Sequence, residues 1–176
     1  WCAQSLYSLP DQFEAVRAMA DVVRPGGTVA VLENDTLHHL VLPWPVEVEL
    51  AVRRAELEAF ADRGDSPGRY YVGRRLVELF RDADLVEIHA RSFAATRQAP
   101  LDAPGREFLV TYLEGLRARV ADRLDVDTRN AFLGLIDAGS DAGLMNRPDL
   151  TLTVLDHVVT GVKPSPGACG ATTQAT

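Results

Sequence analysis

Cysteine is scarce in this chain of 176 residues, in which Cys2 and Cys169 lie far apart. A fold held together by disulfides is therefore not expected, and the cytoplasm is the simplest location. No apolar run approaches the roughly 20 residues that cross a bilayer, and no signal peptide is recognisable. We expect a cytoplasmic protein that does not bind membranes.

Basic charge is also in short supply, since 18 Lys and Arg against 25 Asp and Glu give a net charge of −7. Such a surface repels the phosphate backbone, so we expect no nucleic acid partner. Hydrophobic residues make up 47% of the chain and charged residues 24%, as in an ordinary globular protein. Abundant Ala, Arg, Asp, Val and Leu with little Lys is typical of a GC-rich bacterial genome.

The apolar patterns predict strands and helices in alternation, which is the α/β fold class. Residues 1–3 predict the end of a buried strand, and the helical pattern over 10–23 stops at the breaker sequence of residues 24–27. Residues 28–33 are apolar without alternation, which predicts a strand buried on both faces of a parallel sheet. The patterns further predict helices over 46–62, 71–80, 102–124 and 128–137, an alternating strand over 86–92 and a last strand over 150–162.

The segment over residues 37–69 is too long for a simple link between a strand and a helix, and long excursions are usually functional. Its apolar residues Val46, Leu50, Leu57 and Phe60 predict an amphipathic helix and an ordered lid. We expect residues 1–164 to form one domain that carries this lid and a helical insertion over 100–148. Residues 165–176 are predicted to be a flexible tail.

Three segments carry motifs that occur together in a known family. They are Trp1-Cys-Ala-Gln-Ser-Leu-Tyr-Ser-Leu-Pro-Asp11, Val22-Val-Arg-Pro-Gly-Gly-Thr-Val-Ala-Val-Leu-Glu33 and Gly161-Val-Lys-Pro164. In this order they resemble the second half of a class I S-adenosylmethionine-dependent methyltransferase. The resemblance implies a Rossmann-like sheet of seven strands in the order 3-2-1-4-5-7-6, of which this chain would supply strands 4 to 7 with the last one antiparallel.

The family's cofactor loop, Gly-x-Gly-x-Gly after the first strand, is not found in this sequence. The acidic residue that ends the family's second strand and holds the cofactor ribose is also missing. The resemblance therefore implies a chain truncated before the cofactor half, which would be inactive and bind S-adenosyl-L-methionine weakly by itself. We expect its partner to be the missing N-terminal half or a second copy of the chain.

Two groups of candidate site residues follow from the resemblance. Ala3, Gln4 and Ser5 would lie at the carboxyl end of the fourth strand beside the cofactor, and Tyr7 just beyond could hydrogen-bond the substrate. Asn34 and Asp35 would end the fifth strand at the same edge, where ligands bind in doubly wound sheets. Tyr7 could equally be a packed loop aromatic.

Histidine is the side chain best suited to proton abstraction near neutral pH, so His38 or His39 is the candidate base, with Glu33 as the weaker one. A surface histidine pair is the alternative. Glu33, Asp35, His38 and His39 are also metal-ligand types, but their spacing matches no metal signature and no metal is expected. His89 and His157 are interpreted as sheet residues.

Aromatic residues could form a wall for an apolar substrate, although packing in a core is the commoner role for such residues. The candidates are Trp44, Tyr70 and Tyr71. Together these residues favour methyl transfer to O, N or C of a small molecule. The alternatives are a non-catalytic module that binds a partner through its half-sheet, and another Rossmann-type enzyme such as a nicotinamide oxidoreductase.

Overall fold

A computed structural model of the chain describes residues 1–62 and 67–166. They belong to two compact units. The first unit comprises Trp1–Thr36, Gly68–Phe93 and the chain from Asp156 onward, and the second comprises Leu37–Pro67 and Ala94–Leu155. The predicted helical insertion over 100–148 and most of the predicted lid thus lie in the second unit, whereas residues 68 and 69 of the lid belong to the first.

Strands and helices follow one another nearly as the sequence predicts. In chain order they are β1 (Cys2–Ala3), α1 (Gln12–Val22), β2 (Thr28–Glu33), β3 (Leu40–Val41), α2 (Val46–Ala61), α3 (Val72–Asp82), β4 (Val86–Gln98), α4 (Ala103–Val120), α5 (Val126–Ile136) and β5 (Thr151–Val162). Short 3-10 turns precede α1 and α3 and follow α4. Only β3 was not predicted, because two residues carry no periodicity.

The first unit is organised around β2. β1 pairs with β2 in parallel, with Ala3 opposite Leu32, and α1 makes the crossover between them. β5 pairs with the other edge of β2 in antiparallel, from Thr28 opposite Val162 to Glu33 opposite His157. β4 pairs with β5, so the strand order is β1-β2-β5-β4. The predicted antiparallel last strand is confirmed.

One core stabilises the first unit, and it lies on one face of its strands. Helices α1 and α3 bury Val16 and Phe80 against Val31 of β2. Burial alternates along β2, because both helices pack on the same face, and Thr28 on the other face is exposed. The prediction that residues 28–33 are buried on both faces is therefore wrong.

The second unit has a separate core, built mainly by α2, α4 and α5. In this unit β3 pairs with β5 in antiparallel, with Leu40 opposite Val154. Phe132 and Trp44 pack in this core with ring centroids 6.4 Å apart.

The buried face of α2 is only in part the predicted one. Val46 and Leu50 are 62% and 65% exposed, whereas Phe60 is buried as predicted and Val52 is buried as well. The buried face also includes the charged residues Arg53 and Glu56, which an apolar pattern alone does not identify.

β4 is longer than predicted and almost entirely exposed. Ile88 is half-buried, but Ala90 and Ser92, which the alternation predicts to face inward, are exposed. Among the described residues, β4 pairs with β5 alone and so forms an edge, and neither core includes a buried residue of β4. No helix within the described part of the chain is long and apolar enough to cross a membrane.

Replacing Gly73 by alanine should destabilise the first unit by about 1–3 kcal/mol, the usual cost of overpacking. An added Cβ would lie 2.8 Å from Cδ2 of His157 and 3.1 Å from both the carbonyl carbon of Asn34 and Oδ1 of Asp35. The α3 backbone needs this close approach to the end of β2 and to the middle of β5. The measurement is urea unfolding followed by circular dichroism.

Gly134→Ala is the matched control, because Gly134 also lies inside a helix but nothing is within 4 Å of its added Cβ. Alanine there should stabilise by up to about 1 kcal/mol through helix propensity. Equal effects of the two substitutions would contradict the close packing at Gly73.

Candidate functional site

Polar residues gather where β1 and β2 reach their carboxyl ends, and we call this set the carboxyl rim: Gln4, Ser5, Asn34, Asp35 and Asp156. Gln4 follows β1 in the left-handed region, with φ of 47°, and its backbone N–H donates to the carbonyl of Leu32 at 2.8 Å. Such backbone conformations are uncommon for residues other than glycine and concentrate at functional sites.

Glu33 is fully buried at the end of β2 and fixes the loop that leaves β1. Its Oε1 accepts the backbone N–H groups of Ser5 and Leu6, each at 2.6 Å. These two donors open a 3-10 turn over Leu6–Ser8, where the turn itself leaves them without acceptors. The Glu33 carboxylate therefore determines where Ser5 lies.

Burial raises the pKa of the Glu33 carboxyl above its ordinary value, although the two backbone hydrogen bonds oppose this rise and the charge of Asp156 adds to it. Its second oxygen, Oε2, is buried and bonds none of the described residues. The structure thus gives Glu33 a definite part in holding the loop. Its predicted part as a base stays a prediction.

Two further side chains hold the same loop. Gln12 Nε2 donates to the carbonyls of Leu6 at 3.4 Å and Arg69 at 3.1 Å. Arg69 donates to the carbonyls of Tyr7, at 2.7 Å, and Ser8. With Glu33, three side chains fix residues 5–8, and Glu33 and Arg69 among them are distant in sequence. Tyr7 lies on this ordered loop with 38% of its surface exposed.

Asp156 of β5 joins this set, and sequence reasoning missed it. Its Oδ1 accepts from Gln4 Nε2 at 3.3 Å and from Asn34 Nδ2 at 3.4 Å. The register that places Glu33 opposite His157 brings Asp156 next to Asn34. The available signal was an acid inside a predicted strand, because Asp is depleted in strands.

Asp35 is buried beside the first turn of α3. Its carboxylate accepts from the backbone N–H of Arg74 at 3.2 Å and from Arg74 Nε at 2.6 Å. The Arg74 guanidinium also lies over the ring of Tyr71, 4.6 Å from its centroid. Arg74 thus neutralises the charge of Asp35. The substrate role of Asp35 and Tyr71 stays a prediction.

The remaining predicted site residues lie in two places. Tyr70 is buried in the first unit, whereas His38, His39 and Trp44 belong to the second. His38 is exposed. His39 packs edge-on against Tyr112 with ring centroids 5.7 Å apart, and its carbonyl accepts from the backbone N–H of Leu155 at 2.7 Å.

Trp44 and Tyr70 are 6% and 8% exposed, so each is mainly a packing residue in its own unit. Among residues 1–62 and 67–166, no three His, Cys, Asp or Glu side chains lie close enough to hold a metal ion.

Glu33→Gln should change how stability depends on pH. In the unfolded chain the carboxyl titrates near 4.5, and in the folded chain at higher pH. Between the two values the folded state binds the proton more tightly, so the free energy of unfolding of the wild type falls as pH rises. Glutamine keeps an oxygen acceptor for the two N–H groups but does not titrate.

The free energy of unfolding of Glu33→Gln minus that of the wild type should therefore increase as pH is raised from 4.5 toward neutrality. Urea unfolding at a series of pH values measures it. A difference that is constant, or that decreases, would contradict the raised pKa.

Comparison with known proteins gives little beyond this geometry. No protein-family model matches the chain. Among solved structures, a putative methyltransferase from Bacillus halodurans C-125 is 12% identical, with a TM-score of 0.46 over 93% of this chain and 68% of that chain. Neither the TM-score nor the identity is high enough to establish a common fold.

Proposed function

We propose that this chain is part of the catalytic domain of a class I S-adenosyl-L-methionine-dependent methyltransferase that acts on a small molecule. The observation that carries the proposal is the strand order of the first unit, β1-β2-β5-β4, with β1 and β2 parallel and β5 antiparallel to β2. We infer that these strands represent strands 4, 5, 7 and 6 of the family's sheet. The antiparallel strand inserted third distinguishes this order from the wholly parallel order of other Rossmann-type sheets.

The carboxyl rim suits the cofactor because it lies at the carboxyl ends of the strands and because the loop after β1 has a fixed conformation. Ligands of open α/β sheets bind outside the carboxyl ends of parallel strands, where Ala3, Gln4 and Ser5 follow β1. Glu33, Gln12 and Arg69 hold this loop in one conformation, so a ligand need not order it on binding. Ala3, Gln4 and Ser5 are therefore the residues proposed to hold the cofactor.

When bound, the cofactor supplies an electrophilic methyl group for an in-line displacement. The contribution of this chain is then to orient the two reactants and to accept a proton if the acceptor is a hydroxyl or an amine. Tyr7 and Asn34 are proposed to contact the acceptor, and His38 to take its proton. The acceptor atom is O, N or C.

The residues described here can contact the cofactor from one side, since β1 pairs only with β2 and its other backbone edge is open. We propose that the remaining contacts come from strands that complete the sheet. Those strands belong either to the same polypeptide or to a second copy of this chain.

Calorimetry with S-adenosylmethionine tests the proposal in the natural gene product that contains these residues, alongside the 176-residue chain. We expect micromolar binding by the gene product and markedly weaker binding by the chain alone. NADH serves as the control ligand. A gene product that binds NADH but not S-adenosylmethionine would favour an oxidoreductase, and binding of neither would favour a non-catalytic module.

A further inference from the structure

Asp156 carries a charge that the protein does not balance. Its carboxylate forms no ion pair within the described part of the chain, and both of its hydrogen-bond donors are neutral amides. Bonds of 3.3 and 3.4 Å to neutral donors are long, and they offset little of a full negative charge.

The neighbouring groups do not supply the missing cation. The guanidinium of Arg74 is paired with Asp35, and Arg69 donates to the carbonyls of Tyr7 and Ser8. Glu33 is an acid, and the charge of Asp156 contributes to the rise of its pKa. The carboxyl rim around Asp156 is therefore negative, whereas the rim around Asp35 is neutral.

The two amides nevertheless give the carboxylate a fixed direction. Both bond Oδ1, which leaves Oδ2 without a partner among the described residues, and Asp156 is only partly buried. A purely structural acceptor in this place could be asparagine, whose side-chain oxygen accepts the same two bonds without charge. An acid inside a strand, oriented but not neutralised, indicates a function for the charge itself.

We infer that Asp156 is a ligand-binding residue whose free oxygen receives a cationic group, either the sulfonium of a methyl donor or the ammonium group of another small-molecule ligand. The sulfonium alternative rests on the proposed function, and the ammonium alternative does not require it. Gln4 and Asn34 are positioning residues that aim the carboxylate.

The first experiment is calorimetry of the natural gene product and its Asp156→Asn variant with S-adenosylmethionine and S-adenosylhomocysteine. The two ligands differ at the sulfur, which is cationic in the first and neutral in the second. If Asp156 faces the sulfonium, the variant should lose about fivefold in affinity for S-adenosylmethionine, the upper range for a partly exposed charge pair, and none for S-adenosylhomocysteine. Asparagine keeps both amide bonds, so the fold at the rim is retained.

The second experiment observes the side-chain amide signals of Gln4 and Asn34 by NMR while methylammonium chloride is added to the wild-type protein. Sodium chloride at equal ionic strength is the control. If an ammonium is the ligand group, methylammonium shifts both amide signals and sodium does not, and the shifts disappear in Asp156→Asn.

The outcomes separate the two proposals. A wild type that binds neither adenosyl ligand rejects the proposed function, while a methylammonium shift would still support cation binding by Asp156. An unchanged ratio of the two affinities in Asp156→Asn, together with amide signals that respond alike to methylammonium and sodium, would overturn the inference.

Discussion

Glu56→Gln is expected to destabilise the second unit by about 3–5 kcal/mol, the cost of removing one partner from a buried ion pair. Glu56 is 1% exposed. Its carboxylate binds Arg53 at 3.3 Å and Arg119 at 2.8 Å. Glutamine would leave the buried guanidinium of Arg53 with the more distant carboxylate of Glu49, at 4.0 Å, as its counter-charge.

Two further hydrogen bonds hold the guanidinium of Arg53 inside the second unit. Arg53 also donates to the Tyr112 hydroxyl at 3.0 Å and to the carbonyl of Leu40 at 3.2 Å. Burial raises the pKa of Tyr112, so its hydroxyl stays neutral. Arg53 thereby links α2, α4 and β3, and Glu56 is the closest carboxylate that neutralises it.

Glu58→Gln is the matched control on the same helix, because Glu58 pairs at 3.0 Å with Arg54 but both side chains are at least half exposed. Its loss should cost no more than about 0.5 kcal/mol. Urea unfolding of both variants at neutral pH is the measurement. Similar losses for Glu56→Gln and Glu58→Gln would show that the buried network contributes nothing beyond a surface pair.

His38→Ala should lower turnover of the natural gene product by about 10²–10⁴-fold, the range for loss of a general base. The two histidines have different environments, since His38 is exposed whereas His39 packs against Tyr112. His39→Ala should therefore act mainly on stability, with a lower melting temperature. Turnover is followed as formation of S-adenosylhomocysteine in the presence of acceptor.

His89→Ala is the control, because His89 is exposed on β4, away from the carboxyl rim in sequence and on an edge strand. Near wild-type turnover in His38→Ala would show that His38 is not the general base. A loss in His39→Ala larger than that in His38→Ala would reverse the assignment.

Local patterns in the sequence predicted most of the elements. The Pro-Gly-Gly turn and the apolar run after it place β2 at the residues observed, and the helical spacing of apolar residues places α1, α3, α4 and α5 within a few residues. These patterns are local, so they can be interpreted without knowledge of the tertiary structure.

Burial of polar groups could not be predicted in the same way. The apolar pattern identifies the buried face of α2 only in part, because that face includes Arg53 and Glu56, whose partners Tyr112 and Arg119 are about sixty residues away in sequence. Asp156 was missed for a related reason, since its partners Gln4 and Asn34 meet it only through the pairing of β2 with β5.

Hydrogen exchange of the natural gene product with and without S-adenosylmethionine tests the central claim, that the cofactor binds at the carboxyl rim of the first unit. We expect slower amide exchange over residues 4–8 and 33–36 when the cofactor is bound, and unchanged exchange in α5 (Val126–Ile136). Cofactor binding that leaves the exchange of residues 4–8 and 33–36 unchanged would contradict a cofactor site at the carboxyl rim.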